Sequence, residues 1–133
     1  MAVKDNSEED GINLVQWYCQ AGDKGQQWSW NDLESKDRHI CNGYGKCASL
    51  PSASPDGNDP SNTTNLVQSE HLDESGQKYR LVDSPFTGFY IIKNDFENCL
   101  GVEGNGVDDG LNILVGPCKP REDGQNWQWW YPK

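Results

Sequence analysis

Five cysteines and two histidines are the residues of this 133-residue chain best suited to chemistry: Cys19, Cys41, Cys47, Cys99, Cys118, His39 and His71. A zinc site would draw on Cys41, Cys47, His39 and His71. The paired Cys-x₂-Cys spacing of such a site is missing. Asp56 to Asn62 has the look of a calcium loop, but the glycine at its sixth position and the glutamate at its twelfth are absent. It reads as a polar loop. No nucleophile elbow or phosphate loop occurs. His39 reads as a loop histidine and His71 as part of a repeat core. No metal, no cofactor and no catalytic residue is expected.

Stepping outward, the aromatic residues carry more information. Gln26-Gln27-Trp28 and Gln125-Asn126-Trp127 share the pattern Gln-x-Trp, and each Gln stands seven residues after a cysteine, Cys19 and Cys118. A shift of 99, from Cys19 to Cys118, also sets Gly11 on Gly110, Asn13 on Asn112, Gly25 on Gly124 and Trp30 on Trp129. This is an internal repeat, and it fixes the architecture. A third, weaker copy lies between them. Asn13-Leu14-Val15-Gln16 recurs as Asn65-Leu66-Val67-Gln68, and the aromatic phrase becomes Gln77-Lys78-Tyr79 after Gly76. Ile40 to Cys47 lines up with Ile92 to Cys99. Glu8-Glu9-Asp10 and Asp108-Asp109 fall in the same loop of two copies. Clustered carboxylates suit acid–base work, yet such recurrence marks a solvated turn.

Each copy reads as short strands. Phe89-Tyr90-Ile91-Ile92, Cys99-Leu100-Gly101-Val102, Asn112-Ile113-Leu114-Val115 and Trp127-Gln128-Trp129 are four β-rich runs separated by Gly, Asn and Asp turns. Three copies of a four-strand unit predict an all-β chain with threefold pseudo-symmetry, a β-trefoil. The single domain spans 1–133, with repeat one at about 1–32, repeat two at about 36–83 and repeat three at about 86–133. With 14 Gly and 7 Pro in the chain, a turn-rich β domain fits better than a helical one. No apolar run approaches the ~18 residues of a membrane span.

The formal net charge is −10. Nucleic-acid phosphates and anionic membrane surfaces would be repelled, whereas a neutral ligand is compatible. Asn62-Thr63-Thr64 is a glycosylation sequon, which has meaning only in a secreted protein. The N-terminus has no apolar h-region and is no signal peptide. A secreted or extracellular chain is the reading, and its start points to a fragment or a cytosolic product.

With these residues the chain resembles the ricin B-type (R-type) lectins, whose domain is a β-trefoil of three repeats, each closing with Gln-x-Trp. Cys99-Leu100-Gly101-Val102, Pro117-Cys118 and Gln125-Asn126-Trp127 carry the resemblance, which covers nearly the whole chain. It implies a structural role for the motif. Trp28, Tyr79 and Trp127 would form a shared core layer, each ring burying about 150–250 Å². Gln26, Gln77 and Gln125 would satisfy backbone groups in the turns. Trp30 and Trp129 keep the same strand face by alternation. The resemblance also implies a Cys99–Cys118 disulfide. In repeat two His71 faces Cys47, so the matching bridge is lost. Cys41 and Cys47 lie near enough in sequence to pair across a turn. The partner expected for Cys19 falls just ahead of Met1, and repeat one lacks its opening strand. The exposed edge implies a longer parent protein, a partner chain filling the place, or a trefoil that tolerates the gap.

R-type repeats can each build a shallow sugar site on an aromatic platform two residues before the second cysteine. Trp17, Ser69 and Gly116 occupy that position here, so Trp17 is the platform candidate. Asp5, Asn6 and Asn13 are its expected polar partners, Asn13 by strand alternation with Trp17. The family's aspartate is replaced by Ala2, Ser49 and Gly101, and its asparagine by Gly25, Gly76 and Gly124. The usual galactose-binding set is therefore missing. The resemblance implies a non-catalytic carbohydrate-binding module for glycans or glycoconjugates, acting as a homodimer or tethered to a larger protein. The alternative is a trefoil that has lost sugar binding and serves protein interaction or structure.

Overall fold

The structure is a computed structural model, and it describes residues 1–31, 38–51, 64–71 and 75–128. The sequon's Asn62 and Thr63, the loop from Asp56 to Asn62, and Trp129 lie outside the described residues.

Among the described residues, eleven short strands follow in chain order. They are β1 (Ala2–Val3), β2 (Leu14–Val15), β3 (Ser29–Asn31), β4 (His39–Cys41), β5 (Lys46–Ser49), β6 (Thr64–Asn65), β7 (Val67–Glu70), β8 (Tyr79–Asp83), β9 (Tyr90–Asn94), β10 (Cys99–Val102) and β11 (Ile113–Gly116). Among the described residues the helical elements are all short 3₁₀ turns. Glycine, asparagine and aspartate fill the connections, and β-branched and aromatic residues fill the strands, as the composition dictates.

The pairing follows the repeat. Within repeat three, β10 pairs antiparallel with β11, Gly101 opposite Leu114 and Val102 opposite Ile113. In repeat one, Ala2 stands opposite Val15 and Val3 opposite Leu14, the same register 99 residues earlier. The last strand of one repeat pairs with the first of the next: β3 with β4 and β8 with β9. Repeat two supplies β4, β5, β6, β7 and β8, with β6 pairing to β11, and repeat three supplies β9, β10 and β11. Its expected fourth strand is, among the described residues, a single bridge from Trp127 to Tyr90. Repeat one contributes β1, β2 and β3 and shows no counterpart of β4 or β9 among the described residues. The fold is a β-trefoil in which the first repeat lacks its opening strand.

The three repeats meet at Leu14, Leu66 and Ile113, corresponding residues that are all fully buried. The Leu14 N–H donates to the Leu66 carbonyl at 2.9 Å, and the Leu66 N–H to the Ile113 carbonyl at 2.9 Å. Val3, Ile40, Ala48, Tyr79, Ile92, Leu100 and Val115 pack around this centre.

Two disulfides are present, Cys99–Cys118 and Cys41–Cys47, and Cys19 is free and exposed. Cys41 lies directly opposite Cys47 across the β4–β5 ladder, with Cα atoms 3.9 Å apart. The cross-strand position gives Cys47 a partner where His71 denies it the usual one. The histidine expectation was reversed. His39 is buried in β4, and His71 is exposed with its ring 4.2 Å from that of His39. β4 lies between β3 and β5 in its sheet, so the residue expected in a loop is the one that is covered.

Candidate functional site

The Gln-x-Trp motif works as a turn clip and a core anchor. In repeat one Gln26 Nε2 donates to the Tyr18 carbonyl at 3.0 Å, and its Oε1 accepts from the Gln20 N–H at 2.9 Å. In repeat three Gln125 Nε2 donates to the Pro117 carbonyl at 3.0 Å, and its Oε1 accepts from the Lys119 N–H at 2.8 Å. Gln77 Nε2 donates to the Glu70 carbonyl at 2.7 Å. The aromatic residues are equally matched. Trp28 Nε1 donates to the Met1 carbonyl, Trp127 Nε1 to the Leu100 carbonyl, and the Tyr79 hydroxyl to the Ala48 carbonyl, at 2.9, 3.1 and 3.1 Å. Met1, Ala48 and Leu100 are corresponding residues. Tyr79 is fully buried, as expected of the core layer. Trp28 and Trp127 are only half-buried, because they flank an open groove described below. Trp30 is half-buried too.

Trp17 stands just past the end of β2. Leu14 and Val15 are both buried, and the strand stops there, so the alternation that put Trp17 on the face of Asn13 does not extend to it. Trp17 is 43% exposed and Tyr18 57% exposed, their ring centroids 5.8 Å apart. Two contacts hold this aromatic pair against repeat three. Gln16 Nε2 donates to the Gly106 and Asp108 carbonyls at 3.1 and 3.0 Å. The Trp17 ring also reaches to 3.9 Å from where a Cβ on Gly110 would lie. Gln20 Nε2 donates to the Tyr18 hydroxyl at 3.1 Å, which adds a polar group at the rim. Tyr18 and Gln20 were not singled out from sequence, although an exposed Trp-Tyr dipeptide beside a motif tryptophan is visible there.

The other expected partners lie elsewhere. Asn13 Nδ2 donates to Asn112 Oδ1 at 3.3 Å, joining repeats one and three. Asp5 and Asn6 are exposed in a 3₁₀ turn with left-handed φ values of 56° and 52°. Asn6 Oδ1 accepts from the Tyr44 hydroxyl at 2.8 Å. Desolvation, with the Asp23 and Glu8 carboxylates nearby, holds the Tyr44 phenol above its ordinary range. Asn6 Oδ1 also lies 2.8 Å from the Cβ position of Gly25, and Asn105 Oδ1 lies 2.6 Å from that of Gly124. Glycine precedes each Gln-x-Trp here because this asparagine leaves no room for a side chain. None of Asp5, Asn6 and Asn13 lines the cavity that holds Trp17.

That cavity is a groove of about 480 Å³. Trp17, Cys19 and Gln20 form its rim, and Trp28, Ile40, Ile92, Leu100 and Trp127 its apolar floor. A second hollow of about 240 Å³ in repeat three is bounded by Gly101, Asn105, Gly116, Lys119 and Glu122. It holds no aromatic ring among its described lining, since Gly116 stands at the platform position.

No protein-family model matches the chain, and no curated protein does. Solved structures do. The designed threefold-symmetric protein ThreeFoil is similar at 28% identity and a TM-score of 0.81, over 96% of this chain and 86% of that one. An exo-β-1,3-galactanase from Clostridium thermocellum is similar at 21% identity and a TM-score of 0.80, over 96% of this chain but only 26% of the galactanase. The Haemophilus ducreyi cytolethal distending toxin is similar at 15% identity and a TM-score of 0.67, over 90% of this chain and 71% of that one. The shared architecture is the threefold β-trefoil.

Proposed function

We propose that the chain is a non-catalytic carbohydrate-binding module whose sugar platform is the Trp17–Tyr18 pair. The observation that carries this reading is the exposure of both rings, 43% and 57%, immediately beside the fully packed β2. A pyranose offers an apolar face that stacks on such a ring and hydroxyls that reach amide groups such as Gln20. The net charge of −10 favours a neutral glycan over an anionic one. A single shallow site of this kind has millimolar affinity, about −4.1 kcal/mol. Useful avidity then comes from a homodimer or from tethering to a larger protein. The two disulfides fit an extracellular setting.

A glycan array followed by titration calorimetry tests the site. Trp17→Ala and Tyr18→Ala should each weaken the best glycan by about tenfold, the loss of one stacking contact. Unchanged glycan binding in both variants rejects the platform.

A second reading is a trefoil that has lost sugar binding and engages protein. It is favoured by Asn6 and Asn13, both occupied by internal contacts, and by Ala2, Ser49 and Gly101 at the family's aspartate positions. A captured protein partner that free sugars do not displace would select it.

A further inference from the structure

The β8–β9 hairpin carries a second group of exposed rings. Val82, Phe86, Phe89 and Tyr90 are 38, 39, 36 and 37% exposed. Pro85, Thr87 and Gly88 beside them are exposed as well. The tip is held in shape from within. The Ser84 N–H donates to the Phe89 carbonyl at 3.3 Å, the Phe89 N–H to the Phe86 carbonyl at 3.2 Å, and the Phe86 N–H to Ser84 Oγ at 2.9 Å. Gly88 supplies the left-handed φ of 85° that the turn requires. Behind the tip, the Ser84 hydroxyl donates to Asn126 Oδ1, and Tyr90 and Trp127 exchange backbone hydrogen bonds at 2.8 and 2.9 Å. The rings project from a preformed support.

The fold does not call for these rings. Ile40 and Ile92 are corresponding residues, so the sequence between β3 and β4 matches the hairpin tip in the same register. Glu34 stands where repeat three has Phe86, Asp37 where it has Phe89, and Arg38 where it has Tyr90. With charged residues at the equivalent places, a trefoil hairpin needs no aromatic residue there.

Size and charge select the occupant. Rings of about 150–250 Å² each, little more than a third exposed, leave roughly 170–280 Å² of aromatic surface among the three. A stable protein interface takes about 800 Å² from each partner, so the patch is too small for one. A sugar face stacked on a ring needs far less. The stretch from Ser84 to Ile92 holds no charged residue, which suits a neutral ligand, while the net charge of −10 repels an anionic lipid surface. Hydrogen-bonding groups stand beside the rings. They are the Thr87 hydroxyl and the exposed Gln128 amide, whose Nε2 lies 3.8 Å from where a Cβ on Gly88 would stand.

We infer that the β8–β9 tip is a second carbohydrate platform, for a neutral glycan, apart from the Trp17–Tyr18 pair. The inference rests on the reading of the chain as a carbohydrate-binding module. Two weak platforms on one chain raise avidity for a polymeric glycan by about 10²–10⁴-fold when both engage at once.

Amide proton–nitrogen correlation spectra test it. Neutral oligosaccharides of glucose, galactose, mannose and xylose are each titrated to about 20 mM, above the Kd of a millimolar site. At least one should shift residues 86–90 as well as 17–20. In Trp17→Ala the shifts at 17–20 should vanish and those at 86–90 remain. The double variant Phe86→Glu/Phe89→Asp installs the residues of the corresponding stretch. There the Kd read at 86–90 should rise at least about tenfold, with that at 17–20 unchanged. Shifts at 17–20 alone, or a hairpin Kd unmoved by the double substitution, overturn the second platform and leave the module standing. No shift at either segment with any of the four sugars overturns both. Shifts at 86–90 with phosphatidylcholine vesicles and with no sugar overturn it in favour of a lipid surface.

Discussion

At the residue scale the motif tryptophans and the platform tryptophan do different work. Trp28, Tyr79 and Trp127 each tie a repeat's closing strand to the residue after its first cysteine position, with one side-chain hydrogen bond apiece. This role was legible in the sequence because identical spacing recurs at Gln26 and Gln125. The full exposure pattern was not. Trp28 and Trp127 have half-open flanks because both line the open groove, and Trp17 lies past the end of the strand expected to align it with Asn13. Tyr79 carries a pH prediction. Burial holds its hydroxyl, which donates to Ala48, far above the ordinary tyrosine range. The unfolded chain releases that proton above about pH 10 and the folded chain does not. The unfolded state then binds fewer protons, so stability falls as pH rises past about 10. Urea midpoints between about pH 8 and 11.5 should drop less steeply in Tyr79→Phe, which also loses about 1 kcal/mol at neutral pH with its hydrogen bond. Equal slopes would refute this account.

At the scale of elements, the side chains of Gln16 and Gln68 hold one repeat to the next. Gln68 Nε2 donates to the Ser7 and Glu9 carbonyls, both at 2.7 Å, and its Oε1 accepts from Asn42 Nδ2 at 2.9 Å. Gln16 makes the matching pair of bonds to Gly106 and Asp108. The repeated Asn-Leu-Val-Gln phrase showed that these positions correspond, but not that the glutamine reaches a neighbouring repeat's loop. That needs the three-dimensional threefold arrangement. Repeat three has Val115 at this position, and Asn94, the counterpart of Asn42, has a buried Nδ2 with no hydrogen-bond partner among the described residues. Gln68→Ala should therefore cost about 2–3 kcal/mol, since it strands a buried amide and two carbonyls. Gln16→Ala should cost less, because it has no buried amide partner of this kind. Chemical denaturation of both variants checks the order, and a Gln68→Ala loss no larger than that of Gln16→Ala would count against the clasp. The Cys41–Cys47 bridge was left open by spacing alone. Only the β4–β5 register puts the two residues opposite one another.

For the molecule as a whole, threefold organisation was readable from the shift between copies, and so was the gap in repeat one. The groove between the repeats, and the thiol on its rim, required the fold. Charge also acts at this scale. With a net charge of −10, self-repulsion opposes the compact state. Among the described residues the opposing ion pairs are few. Lys46–Asp10, Arg80–Glu97 and Lys93–Glu97 lie at 2.7, 2.6 and 3.2 Å on partly exposed surface. Exposed pairs of this kind each contribute little, because solvent screens them. Screening at about 0.1 M salt, where the Debye length is about 10 Å, should relieve more repulsion than it removes attraction. Tm should then rise by a few degrees between low and physiological ionic strength, as calorimetry can measure. A fall in Tm would show that the pairs dominate.

Both disulfides close a loop inside a single repeat, and repeat one has none. The boundaries between repeats are held without any disulfide, by strand pairing, the glutamine clasps, the shared core and side-chain contacts such as Asn13–Asn112 and Lys46–Asp10. Under a stretching force those boundaries can part without any covalent bond breaking. Each bridged loop stays short while the rest of the chain extends. Adding reductant midway through a pull would lengthen repeats two and three and leave repeat one unchanged.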